Sequence, residues 1–375
     1  MFKTSRIVNS FCPQPFQRLK VTPEGNVSMC CFQYRDCLGN ILFKSFEDIW
    51  FGPVAQKIRE MTANKEFHPS CLTESCPYRY KPLVEQPVEH FTYPREFELD
   101  LPTQHCNIGG EDPTPERPAC LMCERHLYMH KHVDRLNEVC LKLRPYVRYI
   151  RALHIQGIAE AFWKDRIFEI FDLLDIDKYK EKITVSTTTN GTILTKARRE
   201  RWFHYPFSSC TFSIDASTPE TFKLIRRIDA YDAIIRNLMA FAEERKPGQG
   251  LRIHNNINLF NINEVMGMVE VAARAKVDFI DFNATYNTPG ICVDENSAWL
   301  FHKAQQEIMA AGEKYGVKVT FMRNLSLDYE IEPRLVEITL PGVKDVAEKL
   351  AVPVETIYKM AEESPHIKIR GVATL

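Results

Sequence analysis

Between residues 96 and 315, short apolar or alternating runs take turns with stretches of helical periodicity. The runs 97–104, 149–156, 183–189, 209–215, 251–259 and 277–284 predict strands. The stretches 127–143, 163–176, 195–204, 218–243 (broken), 262–275 and 296–315 predict helices. Six strand–helix units in succession predict an α/β fold, a parallel sheet with helices outside, either an open sheet or a partial (β/α)6 TIM-like barrel. Ligands of such sheets gather at the C-terminal strand ends. There the chain places Cys106, then Gln156, Gly157 and Glu160, then Thr188, Thr189, Asn190 and Gly191. Ser213 and Asp215, Asn258, and Asn283, Thr285 and Tyr286 follow at the later strand ends. Turn chemistry accounts for any one of these residues. The full set outlines one polar site at a barrel mouth.

Upstream the pattern changes. Residues 16–21 and 27–31 predict a hairpin around Pro23-Glu24-Gly25-Asn26. Ser45 is a candidate N-cap for a helix that Gly52-Pro53 interrupts. Residues 1–80 thus form a small module, and 81–95, with Pro82, Pro87 and Pro94, read as a linker. The barrel occupies 96–325. The tail, 326–375, holds a helix near 343–363 and a helix-turn-helix look about Val352-Pro353.

Composition adds bounds. A length of 375 residues suits one large or two moderate domains. The net charge of −1 gives no electrostatic case for nucleic acid, and the tail lacks an Arg cluster for phosphates. No apolar run reaches the roughly 18 residues that span a bilayer, and the N-terminus lacks a signal peptide's apolar stretch. A cytoplasmic protein is the default expectation. In that compartment twelve cysteines point to metal, iron–sulfur or redox work rather than disulfides. Cys106, Cys120 and Cys123 share the loop after the first barrel strand, and three ligands leave one coordination position open. Cys12, Cys30, Cys71 and Cys76 make a four-thiolate site suited to a structural zinc or a cluster, with Cys31 and Cys37 as possible substitutes. Cys140, Cys210 and Cys292 stand apart.

On these residues the chain resembles the radical S-adenosylmethionine (SAM) enzymes that carry a SPASM or twitch auxiliary-cluster module. The resemblance covers about residues 11–290. Cys106, Cys120 and Cys123 match the cluster loop. LHIQGIAEAF (153–162) is similar to the second-strand motif, TTTNGTIL (187–194) to the third-strand Asn-Gly segment, and FSIDASTPETFKLIRR (212–227) to the fourth-strand region. Cys12, twelve residues, Gly25, four residues and Cys30 reproduce the auxiliary hairpin's spacing, completed by CLTESCPY. Here the module precedes the barrel, as in one subgroup. Two departures stand out. Thirteen residues separate Cys106 from Cys120 where three are usual, and Met122 replaces an aromatic residue. The Gly-Gly-Glu-Pro pattern is Ile158-Ala159-Glu160-Ala161, with the acid kept.

The resemblance implies a SAM-binding [4Fe–4S] cluster on Cys106, Cys120 and Cys123. It implies a second, auxiliary [4Fe–4S] cluster on Cys12, Cys30, Cys71 and Cys76. SAM would be held by Gly157, Glu160 (at its amino group), Thr189, Asn190, Ser213, Asp215, Arg226 (or Arg227) and Asn258. It implies cleavage of SAM to a 5′-deoxyadenosyl radical that abstracts a substrate hydrogen. The substrate would be a ribosomal peptide or a sugar- or aminocyclitol-type metabolite, and the outcome epimerisation, oxidation, crosslinking or dehydration. A flavodoxin- or ferredoxin-type donor would supply the electron. Cys292, after the sixth strand, is a candidate hydrogen donor. The competing reading is a zinc-binding α/β scaffold without redox chemistry.

Overall fold

Alternation, not continuous apolarity, marks the strands of the computed structural model, which describes residues 6–33, 38–71, 76, 78, 86–90, 92–110, 112–114, 119–123, 133–285, 291–293, 298–321, 336–339, 354–355, 358 and 367–370. Expectations for Cys37, Tyr286, the start of the 127–143 helix and most of the tail helix fall outside these residues. The strands, in chain order, are β1 (Arg6–Ser10), β2 (Arg18–Val21), β3 (Asn26–Ser28), β4 (Gly39–Asn40), β5 (Gln86–His90), β6 (Glu96–Asp100) and β7 (Ala152–Gln156). They continue as β8 (Thr184–Thr189), β9 (Phe207–Ser213), β10 (Gly250–Ile257), β11 (Phe279–Ala284), β12 (Val319–Phe321), β13 (Val336–Thr339) and β14 (Ile367–Arg370). Two units divide the chain. One comprises Met1–Pro113, Glu124–Thr211 and Arg245–Gly250; the other comprises Thr114–Cys123, Phe212–Glu244 and Leu251–Leu375.

In the first unit the strands run β9-β8-β7-β6-β2-β3-β4 across the sheet, with β6, β7 and β8 parallel. In the second, β10, β11 and β12 are parallel neighbours in that order, and β13 pairs with β14. The fold is α/β with largely parallel sheet, as the strand–helix succession predicts. The helix expected over 218–243 breaks into Pro219–Arg226 and Tyr231–Glu244.

A parallel sheet covered on both faces reads as continuous apolar sequence. These strands do not. In β7, Leu153 and Ile155 are buried while His154 and Gln156 are half-buried; β8, β10 and β11 alternate likewise. One face is apolar core and the other is polar. The polar set expected only at strand ends therefore continues down the strands.

The N-terminal hairpin forms as predicted, with Gly25 at φ +89°, where a Cβ would meet the Leu42 side chain at 2.7 Å. Ser45 Oγ accepts from Asp48 N at 3.0 Å, and Gly52-Pro53 splits the run into helices Phe46–Trp50 and Pro53–Ala63. Buried Arg59 ties the module together by donating to Pro15 O at 2.9 Å and Trp50 O at 2.8 Å. The stretch 81–95, read as a linker, contains β5, which pairs antiparallel with β1. Pro87 is tolerated because a two-stranded ribbon leaves one side of each strand unpaired.

The module's hairpin also joins the parallel sheet. β2 runs parallel to β6, Arg18 opposite Glu96 and Lys20 opposite Glu98. Arg18 Nη2 meets Glu96 Oε2 at 2.6 Å, and Arg18 Nη1 meets Glu98 Oε2 at 3.0 Å. Lys20 Nζ bridges Glu98 Oε1 at 2.7 Å and Asp100 Oδ1 at 2.5 Å. Glu98 is 1 % exposed and Lys20 8 %. Burial works against the Lys20 ammonium, but Asp100 and Glu98 outweigh it and raise its pKa. Burial also opposes Glu96 ionisation, yet the His154 hydrogen bond and Arg18 bring that carboxyl down to about 2.

Breaking a buried ion pair strands its partner and costs about 3–5 kcal/mol. Lys20→Met is expected to lower the unfolding free energy from denaturant titration by that order, and adding Glu98→Gln to recover part of the loss. A Lys20→Met chain as stable as wild type would contradict the ladder's importance. The depressed Glu96 pKa gives stability that is present above its ordinary carboxyl value of 4.5 and is lost as pH falls towards about 2. Acid titration of Glu96→Gln should lack that part of the wild-type loss.

Candidate functional site

The N-terminal thiols gather in one place. Burial raises the Cys12 thiol to about 12, and Cys76 and Cys71 push it the same way. Burial, then Cys31, Cys12 and Cys71, raise Cys30, while burial and Cys76 raise Cys71. Cys12 and Cys71 therefore each sit within electrostatic reach of both Cys30 and Cys76, with exposed Cys31 beside Cys30. Gln33 donates Nε2 to Cys71 Sγ at 3.9 Å and faces Cys71 across an isolated bridge. No disulfide occurs among the described residues. Nor do three His, Cys, Asp or Glu among them converge on a single-ion site. A four-iron cluster bonds each thiolate to a different iron, so its ligands stand further apart than those of one ion.

In the first unit, the loop after β6 carries Cys106. Leu101 N donates to Gln156 O at 2.7 Å, drawing the ends of β6 and β7 together. Gly157 permits this approach: at φ +117° its missing Cβ would lie 3.0 Å from Leu101 N. Glu160 N donates to His105 O at 2.7 Å, tying its loop to the Cys106 loop. The Glu160 carboxylate is fully buried. It accepts from Thr189 Oγ1 at 2.7 Å, Asn190 N at 2.6 Å and Phe162 N at 3.2 Å. Burial raises its pKa and these donors oppose the rise. No ion pair among the described residues involves Glu160, so the pocket suits a cationic ligand group. Asn190 Nδ2 donates to Asn107 Oδ1 at 2.8 Å, and Asn107 Nδ2 donates to Thr192 Oγ1 at 2.9 Å. Asn107 and Thr192, which sequence reasoning missed, close a ring of side chains beside Cys106. Their signal was adjacency, Asn107 to Cys106 and Thr192 to Asn190-Gly191.

In the second unit, Cys120 and Cys123 share a turn, Cys123 N donating to Cys120 O at 3.0 Å. The turn docks on the C-terminus of helix Pro219–Arg226: Leu121 N donates to Ile225 O at 2.9 Å, and Cys120 Sγ to Arg226 O at 3.6 Å. Burial raises the Cys120 thiol and the Arg226 charge opposes it. Arg226 pairs with fully buried Asp215, whose Oδ1 accepts from Asn256 N at 2.8 Å. Arg227 is instead the helix's left-handed C-cap. At the other end of the helix Glu264, also missed from sequence, accepts from Ser217 N and Thr218 Oγ1, each at 2.8 Å. Ser213 closes β9 half-buried. Asn258 is committed to the turn after β10, its Oδ1 accepting from Phe260 N at 2.9 Å. Met122 Sδ accepts from Thr285 Oγ1 at 3.9 Å. Cys292 lies by the ends of β10 and β11, since Leu259 N donates to Ile291 O at 2.9 Å and Val293 N to Thr285 O at 3.2 Å. Cys140 and Cys210 are fully buried in the first unit.

Residues 12–77 match the family model of SPASM, an iron–sulfur cluster-binding domain. No curated protein matches the chain. Among solved structures the chain is similar to Streptococcus suis SuiB bound to S-adenosylmethionine, with 14% identity, TM-score 0.45, and coverage of 72% of this chain and 54% of that one. It is also similar to anSMEcpe with bound AdoMet, with 17% identity, TM-score 0.45, and coverage of 60% and 64%. A third is anSMEcpe with AdoMet and the Cp18Cys peptide, with 18% identity, TM-score 0.44, and coverage of 61% and 63%. The chain spans about half the length of SuiB. No helix among the described residues is long and apolar enough to cross a membrane.

Since buried thiols must lose protons to bind metal, loading of the module should release protons and tighten with rising pH. Reconstitution of the metal-free chain with iron and sulfide across a pH series checks this, and pH-independent uptake would contradict it. In the iron-reconstituted chain, Cys30→Ala or Cys71→Ala should remove about four irons, whereas Cys140→Ala should remove none.

Proposed function

We propose that the chain is a radical SAM enzyme of the SPASM type. The observation that carries this reading is Glu160: a fully buried carboxylate, held by three donors and without an ion-pair partner, hydrogen-bonded through its backbone to the loop of Cys106. The SPASM match over 12–77 supports it independently. Cys106, Cys120 and Cys123 would hold a [4Fe–4S] cluster, which together with SAM would supply a 5′-deoxyadenosyl radical for removing a hydrogen atom from the substrate.

The chain's residues position that chemistry. Glu160 takes the ammonium group of SAM, and Thr189 and Asn190 orient the carboxylate. Gly157 lets the backbone close behind it. Asp215 holds Arg226 against Cys120, and the guanidinium lowers the cost of ionising that thiol. Ser213 and Asn258 shape the strand ends around the cofactor. Cys12, Cys30, Cys71 and Cys76 would fully coordinate a second [4Fe–4S] cluster, which favours electron transfer or structure as its role. A flavodoxin- or ferredoxin-type protein delivers the electron. The substrate is a peptide or a sugar- or aminocyclitol-type metabolite, and the outcome is oxidation, crosslinking, epimerisation or dehydration.

A hydrogen bond to a charged group contributes about 1.5–3 kcal/mol, or roughly 10–100-fold in affinity. Glu160→Gln, nearly isosteric, should weaken SAM binding to the reconstituted enzyme by that factor in anaerobic calorimetry. Unchanged affinity would overturn the assignment. If Cys292 donates hydrogen in an epimerisation, Cys292→Ala in deuterated water should abolish deuterium incorporation into the product. Full turnover with unchanged incorporation would remove that role.

A further inference from the structure

Two strands of the second unit carry a pair of titratable groups that the reading above leaves unused. In β10, Leu251, Ile253, Asn255 and Ile257 are buried, and Arg252, His254 and Asn256 occupy the polar face. In β11, Ile280, Phe282 and Ala284 are buried, and Asp281 and Asn283 occupy the polar face. The parallel register sets His254 directly opposite Asp281 and Asn256 opposite Asn283. His254 Nδ1 is bonded to Asp281 Oδ2, so the carboxylate fixes the ring and its tautomer. Nε2 lies 3.3 Å from Asn256 Oδ1, beyond the usual N–H···O range of 2.7–3.2 Å. The two side chains keep 19% and 13% of their surface exposed. Nε2 thus keeps only a long hydrogen bond to Asn256, which a better acceptor can displace.

Its place in the unit is informative. Asn256, two residues along the same strand face, donates its backbone N to Asp215. Asp215 pairs with Arg226, whose carbonyl accepts from Cys120. A polar chain of contacts thus leads from a candidate cluster ligand to the imidazole. Two residues of strand span about 6.6 Å, roughly the depth of one small substituent.

We propose that His254, backed by Asp281, receives a carboxylate group of the substrate at Nε2. This rests on the radical SAM reading for the identity of the reaction, but the binding position itself needs neither cluster nor SAM. Burial works against a charged imidazole. The Asp281 hydrogen bond and charge, with Asp215 and Asn256 adding to them, raise its pKa above the ordinary value. Arg252, next on the same face, lies over the Phe279 ring at 4.5 Å. The groups facing the imidazole are therefore the acids Asp281 and Asp215 and the amide of Asn256. The raised pKa favours the charged ring, whose Nε2–H finds a better acceptor in an anionic oxygen than in an amide.

The test is ¹⁵N-imidazole NMR of the full chain, with acetate as probe and chloride at matched ionic strength as control; loss of a signal in His254→Gln assigns it. The expected result is a saturable, acetate-specific shift at pH 6 that disappears as pH rises through the imidazole pKa. Asp281→Asn should weaken it by about tenfold or more. A shift shared with chloride, no shift at all, or a response independent of pH would overturn the proposal, and the wild-type pH profile decides even if Asp281→Asn misfolds. Displacement of acetate by SAM would also overturn it, assigning the position to the cofactor's own carboxylate. Failure of the radical reading would show differently, as no SAM binding by the reconstituted wild-type chain with the acetate response intact.

Discussion

Three carboxylates on one face of a five-residue strand, Glu96, Glu98 and Asp100, do not go into a protein interior without cations. The cations come from β2, where Arg18 and Lys20 repeat with the same period and pair in register. That match positions the N-terminal hairpin as the next strand of the parallel sheet. It covers the edge of β6, which would otherwise expose unpaired backbone groups. It also places β3, and with it Cys30, at a determined distance from the strand whose end carries Cys106. Two cysteine-bearing segments far apart in sequence are thereby mounted on one sheet in the first unit.

The same logic governs the polar face elsewhere. Strands with one polar face must satisfy each buried polar group, and they do so with short, local pairings. His154 Nδ1 meets Ser186 Oγ at 2.6 Å, Glu160 collects Thr189 and Asn190, and Asp215 collects Arg226 and Asn256. Most of these groups are spent on one another. Glu160 is a fully buried carboxylate whose donors are all neutral, and the His254 imidazole is fixed at one nitrogen with a long contact at the other. Both positions leave room for a ligand's charge.

Much of this was legible in the sequence. Helical and strand periodicity located the parallel strands within a few residues, because each pattern persists over whole elements. The hairpin between Cys12 and Cys30 was legible from Gly25, whose positive φ glycine adopts easily. The β2–β6 pairing was not read, since its partners lie 78 residues apart, although Arg-x-Lys against Glu-x-Glu-x-Asp was the signal. β5 hid in a proline-bearing stretch that resembles a connector. Turn residues and ligand residues share the same chemistry, and Asn258 Oδ1 accepts from Phe260 N in the turn after β10. The His254–Asp281 pair needed the strand register, which no single-strand pattern supplies.

The central claim is that these cysteines and Glu160 serve a SAM-dependent radical reaction. It is tested most directly by anaerobic reconstitution of the full chain with iron and sulfide, followed by incubation with SAM and dithionite. The account predicts that 5′-deoxyadenosine and methionine form together, and that neither forms when Cys106, Cys120 and Cys123 are replaced by alanine. A chain that loads iron fully yet leaves SAM intact, or that takes up only zinc, would contradict it.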